Sequence, residues 1–256
     1  MRYPALFLLA ASLTLAEEVK VRGIGYSQDK TPLKGVWVPP PAGAKSPAPA
    51  ILLFPDWMGV TPDAVDLAKR VSKWGYAVLV ADMYGSGKRP KNAQEAGKLS
   101  AAMKGDVPLL RKRALAALAV LKTQGGIDTN KVAAMGFCFG GTTTLELARS
   151  GAALKGVVSV HGALNTPLPE DAKKIRGKIL VLHGAEDPHV PPEQVQNFMD
   201  EMRAAQTDWH MTFYGGAVHA FTNPKAGLDP KQGAAYNAKA DRRAFEAMKD
   251  FFAETL

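Results

Sequence analysis

Short, solid apolar runs recur along the chain, separated by stretches in which apolar residues fall at helical spacing. Residues 50–54, 76–80, 132–135, 156–160 and 178–182 are runs of this kind. Each is bounded by turn or polar residues and is too short for a buried helix, so each reads as a strand covered on both faces. Residues 209–214 add another strand. Helical spacing marks 63–74, where Val65, Leu67, Ala68 and Val71 share a side and Gly75 ends the helix. Residues 92–123 are mainly helical, with a break or bend near 105–108, and 142–150 and 193–205 follow the same period. In 234–254 the residues Ala240, Ala244, Phe245, Met248, Phe251 and Phe252 form one apolar side. Ahead of all these, 19–26 and 33–38 predict an edge hairpin across Gln28-Asp29-Lys30, and the proline-rich stretch 39–49 reads as a loop. Strand and helix alternate without an internal repeat. The pattern predicts an α/β domain, with a predominantly parallel central sheet, helices on both faces and an N-terminal edge hairpin.

Composition changes this picture little. The 256 residues can bury one large core, and 46% hydrophobic with 22% charged residues is ordinary for a globular protein. The formal charge of +8 raises the question of nucleic acid. The basic residues are scattered, however, and the trio Arg111-Lys112-Arg113 lies on a helix backed by leucines, which reads as a solvated face. No nucleic-acid partner is expected. Residues 1–16 differ in character: Arg2 is followed by an apolar run over 5–15, and Ala16 precedes Glu17-Glu18. This is the shape of a cleaved signal peptide, so the expected mature chain is a single domain over 17–256, periplasmic or secreted. The run is too short to span a bilayer comfortably, and no stable membrane insertion is expected. The sequence does not define an oligomeric state; a monomer is the default expectation.

The candidate chemistry centres on the one cysteine. Gly136-Phe137-Cys138-Phe139-Gly140-Gly141 places Cys138 between a strand and a helix, with small residues on both sides. That is the nucleophile-elbow pattern with sulfur as the nucleophile, near a helix N-terminus whose dipole favours a thiolate. Asp56, Cys138, His161, His183, Asp187 and His219 all follow predicted strands, and in a parallel sheet such positions meet along the carboxyl edge. The chain order nucleophile, acid, histidine selects Cys138, Asp187 and His219: a base within reach of the thiol, and an acid to orient the base. An oxyanion would be met by backbone N–H groups, with Phe139 and Trp57 as the candidates.

These motifs together resemble the dienelactone hydrolase family of α/β-hydrolases, the carboxymethylenebutenolidases. The resemblance rests on the elbow, on Asp82-Met83-Tyr84, on Gly184-x-x-Asp187-x-x-Val190-Pro191 and on His219-Ala220-Phe221, and it covers nearly the whole mature chain. It implies an α/β-hydrolase fold, Cys138 as nucleophile, His219 as base, Asp187 as its partner, and neither metal nor organic cofactor. The implied reaction is hydrolysis of a small ester or lactone through an acyl-enzyme. In the family a glutamate beside the resting cysteine helps form the thiolate; Asp56, one methylene shorter, stands at that position. The family's substrate-binding arginines are not matched, since Ser86 and Asn223 stand near their places, with Lys88 or Arg89 as substitutes. Tyr84, Ser86, Lys88, His161, Phe221 and Asn223 are the candidate pocket residues, and the segments around His161 and His219 resemble a less characterised, often exported branch. The histidines His161, His183 and His189 lack paired metal-ligand spacing, so no metal is expected. Lactone, ester and thioester are not distinguished. A thiol-redox or thiol-transfer protein and a non-catalytic binding module remain the alternative readings.

Overall fold

The computed structural model describes residues 19–256, so the signal-peptide expectation for residues 1–16 lies outside the described residues. Strands β1 (Arg22–Gln28) and β2 (Thr31–Val38) form the expected hairpin, with Asp29 turning the chain at φ 49°. The remaining strands are β3 (Ala48–Phe54), β4 (Ala77–Val80), β5 (Ile127–Phe137), β6 (Gly156–Val160), β7 (Lys178–Gly184) and β8 (Trp209–Tyr214). They build one eight-stranded sheet in the order β1-β2-β4-β3-β5-β6-β7-β8. The pairs β1/β2 and β2/β4 are antiparallel and all others parallel.

Because successive strand residues face opposite ways, each solid apolar run supplies two cores at once. Leu52, Leu79 and Ala134 face one side. There they pack with Leu110 and Leu118 of α3 (Val107–Lys122), Leu145 of α4 (Phe139–Arg149) and Phe198 of α5 (Pro192–Ala204). Ile51, Leu53, Val78 and Met135 face the other, against Val71 of α1 (Pro62–Ser72) and Met248 and Phe252 of α6 (Ala238–Thr255). The break read near 105–108 is a true boundary: α2 (Ala93–Gly105) ends there, and Asp106 caps α3 by accepting the Leu109 N–H at 3.0 Å.

Between β6 and β7 the chain forms a 3₁₀ turn at Pro169–Lys174. Two expectations need correction. Of the trio Arg111-Lys112-Arg113, read as a solvated face, only Lys112 is exposed: Arg113 is buried and donates to Met83 O at 2.6 Å, and Arg111 is mostly buried in ion pairs. The last helix starts at Ala238, not at 234, because residues 233–237 are engaged elsewhere. Gly233 O accepts the His219 N–H at 3.2 Å, Ala235 donates to His219 O at 3.0 Å, and Asn237 donates to Phe221 O at 3.0 Å. Apolar periodicity alone does not register that competing backbone pairing. Among the described residues, no helix is long and apolar enough to cross a membrane.

The helix that begins at the elbow is anchored at its far end by a buried ion network. Arg149, with no exposed side-chain surface, pairs with Glu146 at 2.9 Å and with Glu201 of α5 at 2.7 Å, and donates to Leu164 O at 2.8 Å. Arg111 of α3 joins through Glu146 at 2.8 Å and through Asp171 of the 3₁₀ turn. Removing one member leaves the others charged and buried, which is far costlier than losing a surface pair. Arg149→Ala is therefore expected to lower unfolding free energy by about 3–5 kcal/mol, against less than about 1 kcal/mol for Arg242→Ala at the exposed Arg242–Glu246 pair. Urea unfolding of both variants checks this; equal losses would show that the network is not a stability determinant.

Candidate active site

Cys138 sits between β5 and α4 at φ 53° and ψ −117°, a conformation that costs a non-glycine residue about 1–3 kcal/mol. The surrounding chain enforces it. A Cβ on Gly136 would lie 2.1 Å from Gly140 O, and one on Gly140 would lie 2.0 Å from Phe54 O at the end of β3. Both flanking glycines are thus demanded by backbone-to-backbone approach. The Cys138 N–H is held by two acceptors, Val160 O at 3.0 Å and His161 Nδ1 at 3.1 Å. The cysteine side chain makes no capping bond to α4, which leaves the sulfur at a helix N-terminus and directed toward another partner.

That partner is His219. Its Nε2 lies 3.1 Å from Cys138 Sγ, and its Nδ1–H donates to Asp187 Oδ2 at 2.9 Å. Asp187 Oδ1 accepts the His189 N–H at 2.8 Å, so both carboxylate oxygens are engaged. The loops carrying acid and histidine are laced together, since Glu186 N–H donates to Ala217 O at 3.0 Å and a Cβ on Gly184 would lie 2.6 Å from the same oxygen. Burial alone would push the His219 imidazole down. The bonds to Asp187 and Cys138 outweigh it and push the ring up to about 10. The ring can therefore hold a proton facing the sulfur at neutral pH.

The two expected oxyanion donors are joined by one side chain. Tyr84 is buried, donates its hydroxyl to Trp57 O at 2.9 Å and stacks on Phe139 at 5.6 Å between ring centres. Its own loop is held by Asp82, whose Oδ1 accepts the Tyr84 and Gly85 N–H groups at 3.0 and 3.1 Å. Asp56 is half-buried, accepts the Met58 N–H at 2.9 Å and makes no hydrogen bond to Cys138. Burial raises the Asp56 carboxyl; the Met58 N–H and the neighbouring His219 charge act against that rise.

Several expected pocket residues are placed elsewhere. His161 is buried, with Nδ1 on the Cys138 amide and Nε2 2.9 Å from Thr222 Oγ1. Phe221 is fully buried against His161 and Tyr214, so it supports the site from beneath and lines no opening. Asn223 turns back to accept the Lys225 N–H at 2.9 Å. Tyr84, as described, is packing and hydrogen bonding. Ser86 is exposed and, with Lys34, Val36, Val60 and Arg89, lines a groove of about 390 Å³ beside the Tyr84 loop; Lys88 is exposed next to it. His183 is buried with its ring edge-on to Phe213, and exposed His189 stands with its ring 5.0 Å from that of His219. Among the described residues, no three His, Cys, Asp or Glu side chains are grouped so as to hold a metal ion. Thr222 escaped the sequence reading altogether, since a loop threonine carries no signal beyond its nearness to His219.

A model of the dienelactone hydrolase family matches residues 35–256. The chain belongs to this family. Among solved structures, a dienelactone hydrolase-like promiscuous phosphotriesterase from metagenomic libraries is 39% identical, with a TM-score of 0.87 over 93% of this chain and 98% of its own. A Klebsiella pneumoniae structure provisionally named a dienelactone hydrolase, at 21% identity and TM-score 0.75, shares the fold. An uncharacterised Caenorhabditis elegans protein is 38% identical over 57% of this chain and 94% of its own length. A protein of Escherichia coli K12, provisionally named a carboxymethylenebutenolidase, is 27% identical over 82% of this chain and 80% of its own. The eight-stranded, mainly parallel sheet is that of the α/β-hydrolases, and membership makes the chain a hydrolase of ester or lactone bonds.

In this family member the elbow leaves no room for a side chain at position 140. Gly140→Ala is expected to cost at least about 2 kcal/mol, whereas Gly125→Ala, with open space around it, should stay within about 0.5 kcal/mol of wild type. Denaturant midpoints of the two variants decide it. Equal stability would mean that β3 can move away from the elbow.

Proposed function

We propose that the protein is a cysteine-dependent hydrolase of small-molecule esters or lactones, with Cys138 as nucleophile, His219 as base and Asp187 as the orienting acid. The observation that carries the reading is the unbroken line Sγ–Nε2 at 3.1 Å and Nδ1–Oδ2 at 2.9 Å. The reacting form is thiolate and imidazolium, in which His219 Nε2 holds the proton taken from the Cys138 thiol. Sulfur attacks the acyl carbon, and the carbonyl electrons move to oxygen, which faces the N–H groups of Phe139 and Trp57. Collapse breaks the bond to the alcohol oxygen, which takes the proton from His219 Nε2 and leaves a thioester on Cys138. Water then attacks, giving one proton to His219; the carboxylic acid departs and the sulfur recovers its electron pair. With a lactone, alcohol and acyl group stay joined, and the product is one hydroxy acid.

A single cysteine supports this reading over thiol exchange, since no second thiol stands ready to resolve a mixed disulfide. Cys138→Ala should fold normally and lose at least about 10³-fold in turnover of a short p-nitrophenyl ester, and iodoacetamide should abolish the wild-type activity. Because one relative is named a promiscuous phosphotriesterase, a lactone and a dialkyl aryl phosphate belong in the same panel, with the carboxylic substrates expected to lead. Retention of half the turnover by Cys138→Ala would overturn the assignment.

Asp56 is the second part of the proposal: its carboxylate favours the imidazolium of His219 and so the ion pair as a whole. Asparagine keeps the acceptor for the Met58 N–H and removes the charge. In Asp56→Asn the pH midpoint for iodoacetamide alkylation should move upward and turnover should fall, since a lost negative neighbour disfavours the protonated ring. An unmoved midpoint with unchanged turnover removes Asp56 from the mechanism.

A further inference from the structure

We infer that His161 is a positioning residue for the Cys138–His219 pair, clamping the nucleophile's backbone to the loop that carries the base. The inference rests on the reading of Cys138 as nucleophile. Its basis is the geometry of one buried ring.

A backbone N–H can only donate, so His161 Nδ1, 3.1 Å from the Cys138 nitrogen, must be the unprotonated acceptor. The ring proton is therefore on Nε2, which donates to Thr222 Oγ1 at 2.9 Å. Thr222 lies three residues beyond His219 on the same loop, so one rigid imidazole spans from the elbow to the histidine loop. The loop between is itself tightly turned: Ala220 has φ 56°, and its carbonyl accepts the Asn223 N–H at 2.8 Å. His161 is held from every side. Its backbone has φ 41°, Phe221 stands edge-on at 5.3 Å, Phe137 lies at 5.9 Å, and the His219 ring lies edge-on at 5.1 Å. The next residue, Gly162, packs so closely on α4 that a Cβ there would come within 2.7 Å of the Thr142 nitrogen.

These contacts do more than fill space. Cys138 needs its strained backbone to present sulfur, and Val160 O and His161 Nδ1 share its only amide proton. Losing His161 releases the elbow amide from one acceptor and the Thr222 end of the base's loop at the same time. Burial, with the nearby His219 charge, holds the His161 ring well below the usual histidine range, so it stays a neutral acceptor beside a cationic neighbour. A protonated His161 could not accept from Cys138 and would repel His219.

The test compares purified wild type, His161→Phe, His161→Asn and Thr222→Val, using p-nitrophenyl acetate hydrolysis and iodoacetamide alkylation across pH. Phenylalanine keeps the bulk but accepts no hydrogen bond. Asparagine offers an oxygen near the place of Nδ1 and tolerates the positive φ. His161→Phe should lose about 10²-fold in kcat, with KM changed less than about threefold, as a small misplacement of reacting groups does. Its alkylation profile should shift. His161→Asn should recover about tenfold of that loss, and Thr222→Val should show a milder form of the same defect. Wild-type kcat and alkylation profile in His161→Phe would overturn the proposal, as would equal losses in His161→Phe and His161→Asn. If circular dichroism shows that His161→Phe does not fold, Thr222→Val decides, and an unmoved kcat and profile in it count against the clamp. Hydrolysis that survives complete alkylation of wild type would refute the Cys138 mechanism instead, while the alkylation profiles would still report on the clamp.

Discussion

Everything in this molecule accommodates one reversal of the backbone at Cys138. Three chain segments meet there without side chains between them: Gly136 at the end of β5, Gly140 in the first turn of α4, and the carbonyl of Phe54 ending β3. A fourth comes from β6, where Gly162 rests on Gly141 and Thr142. The fold thus brings the carboxyl ends of three neighbouring strands to one point, and the polar residues following those strands arrive with them. A strained residue persists only where its surroundings over-determine it, and its cost of about 1–3 kcal/mol is large against a typical net stability of about 5–15 kcal/mol. The buried Arg149–Glu146–Glu201 cluster fits that need, because it fastens the far end of α4 while the near end is wedged against β3 and β6.

The charges around the elbow follow a consistent sign. Asp187 has both oxygens engaged, one by a backbone N–H and one by His219, and its side chain has no exposed surface. A carboxylate so placed stabilises a cation on the ring it touches, which is why His219 is raised in spite of its own burial. His161, 5.1 Å away between ring centres, is pushed the other way by burial and by that same cation. Two histidines in edge-to-face contact are therefore driven to opposite protonation states. Only the one facing sulfur can carry charge, and the other is free to accept the elbow amide.

The parts of the site that could be read in the sequence were those with a local steric or topological cause. Glycines bracketing Cys138, solid apolar runs and the chain order cysteine, aspartate, histidine all report on backbone placement, and the structure brings the three together with His219 between Cys138 and Asp187. Side-chain direction was much less legible. His161 and Ala220 adopt positive φ, and this turns His161 and the following Phe221 inward, where a post-strand position suggested a pocket wall. Asn223 was taken up by a local turn, and Tyr84 by Trp57 and Phe139. The start of α6 was misplaced for a related reason, since residues 233–237 pair with the histidine loop before the helix begins.

The inward turn of these aromatic residues bears on selectivity. Phe137, Phe139 and Phe221 are each at most 5% exposed, and their area goes to holding His161, Tyr84 and the neighbouring core. Trp57, at 37% exposure, is the large apolar side chain left open beside the proposed oxyanion donors. Under the proposed mechanism, a ligand at the sulfur gains little apolar contact from the three buried phenylalanine rings. Affinity from hydrophobic contact scales with the area removed from water, so such a site gains little by binding a ground state tightly. Under that mechanism, selectivity rests on how well the reacting group fits between Cys138, His219 and the two N–H groups, and the backbone contacts at the elbow set the places of Cys138 and Phe139.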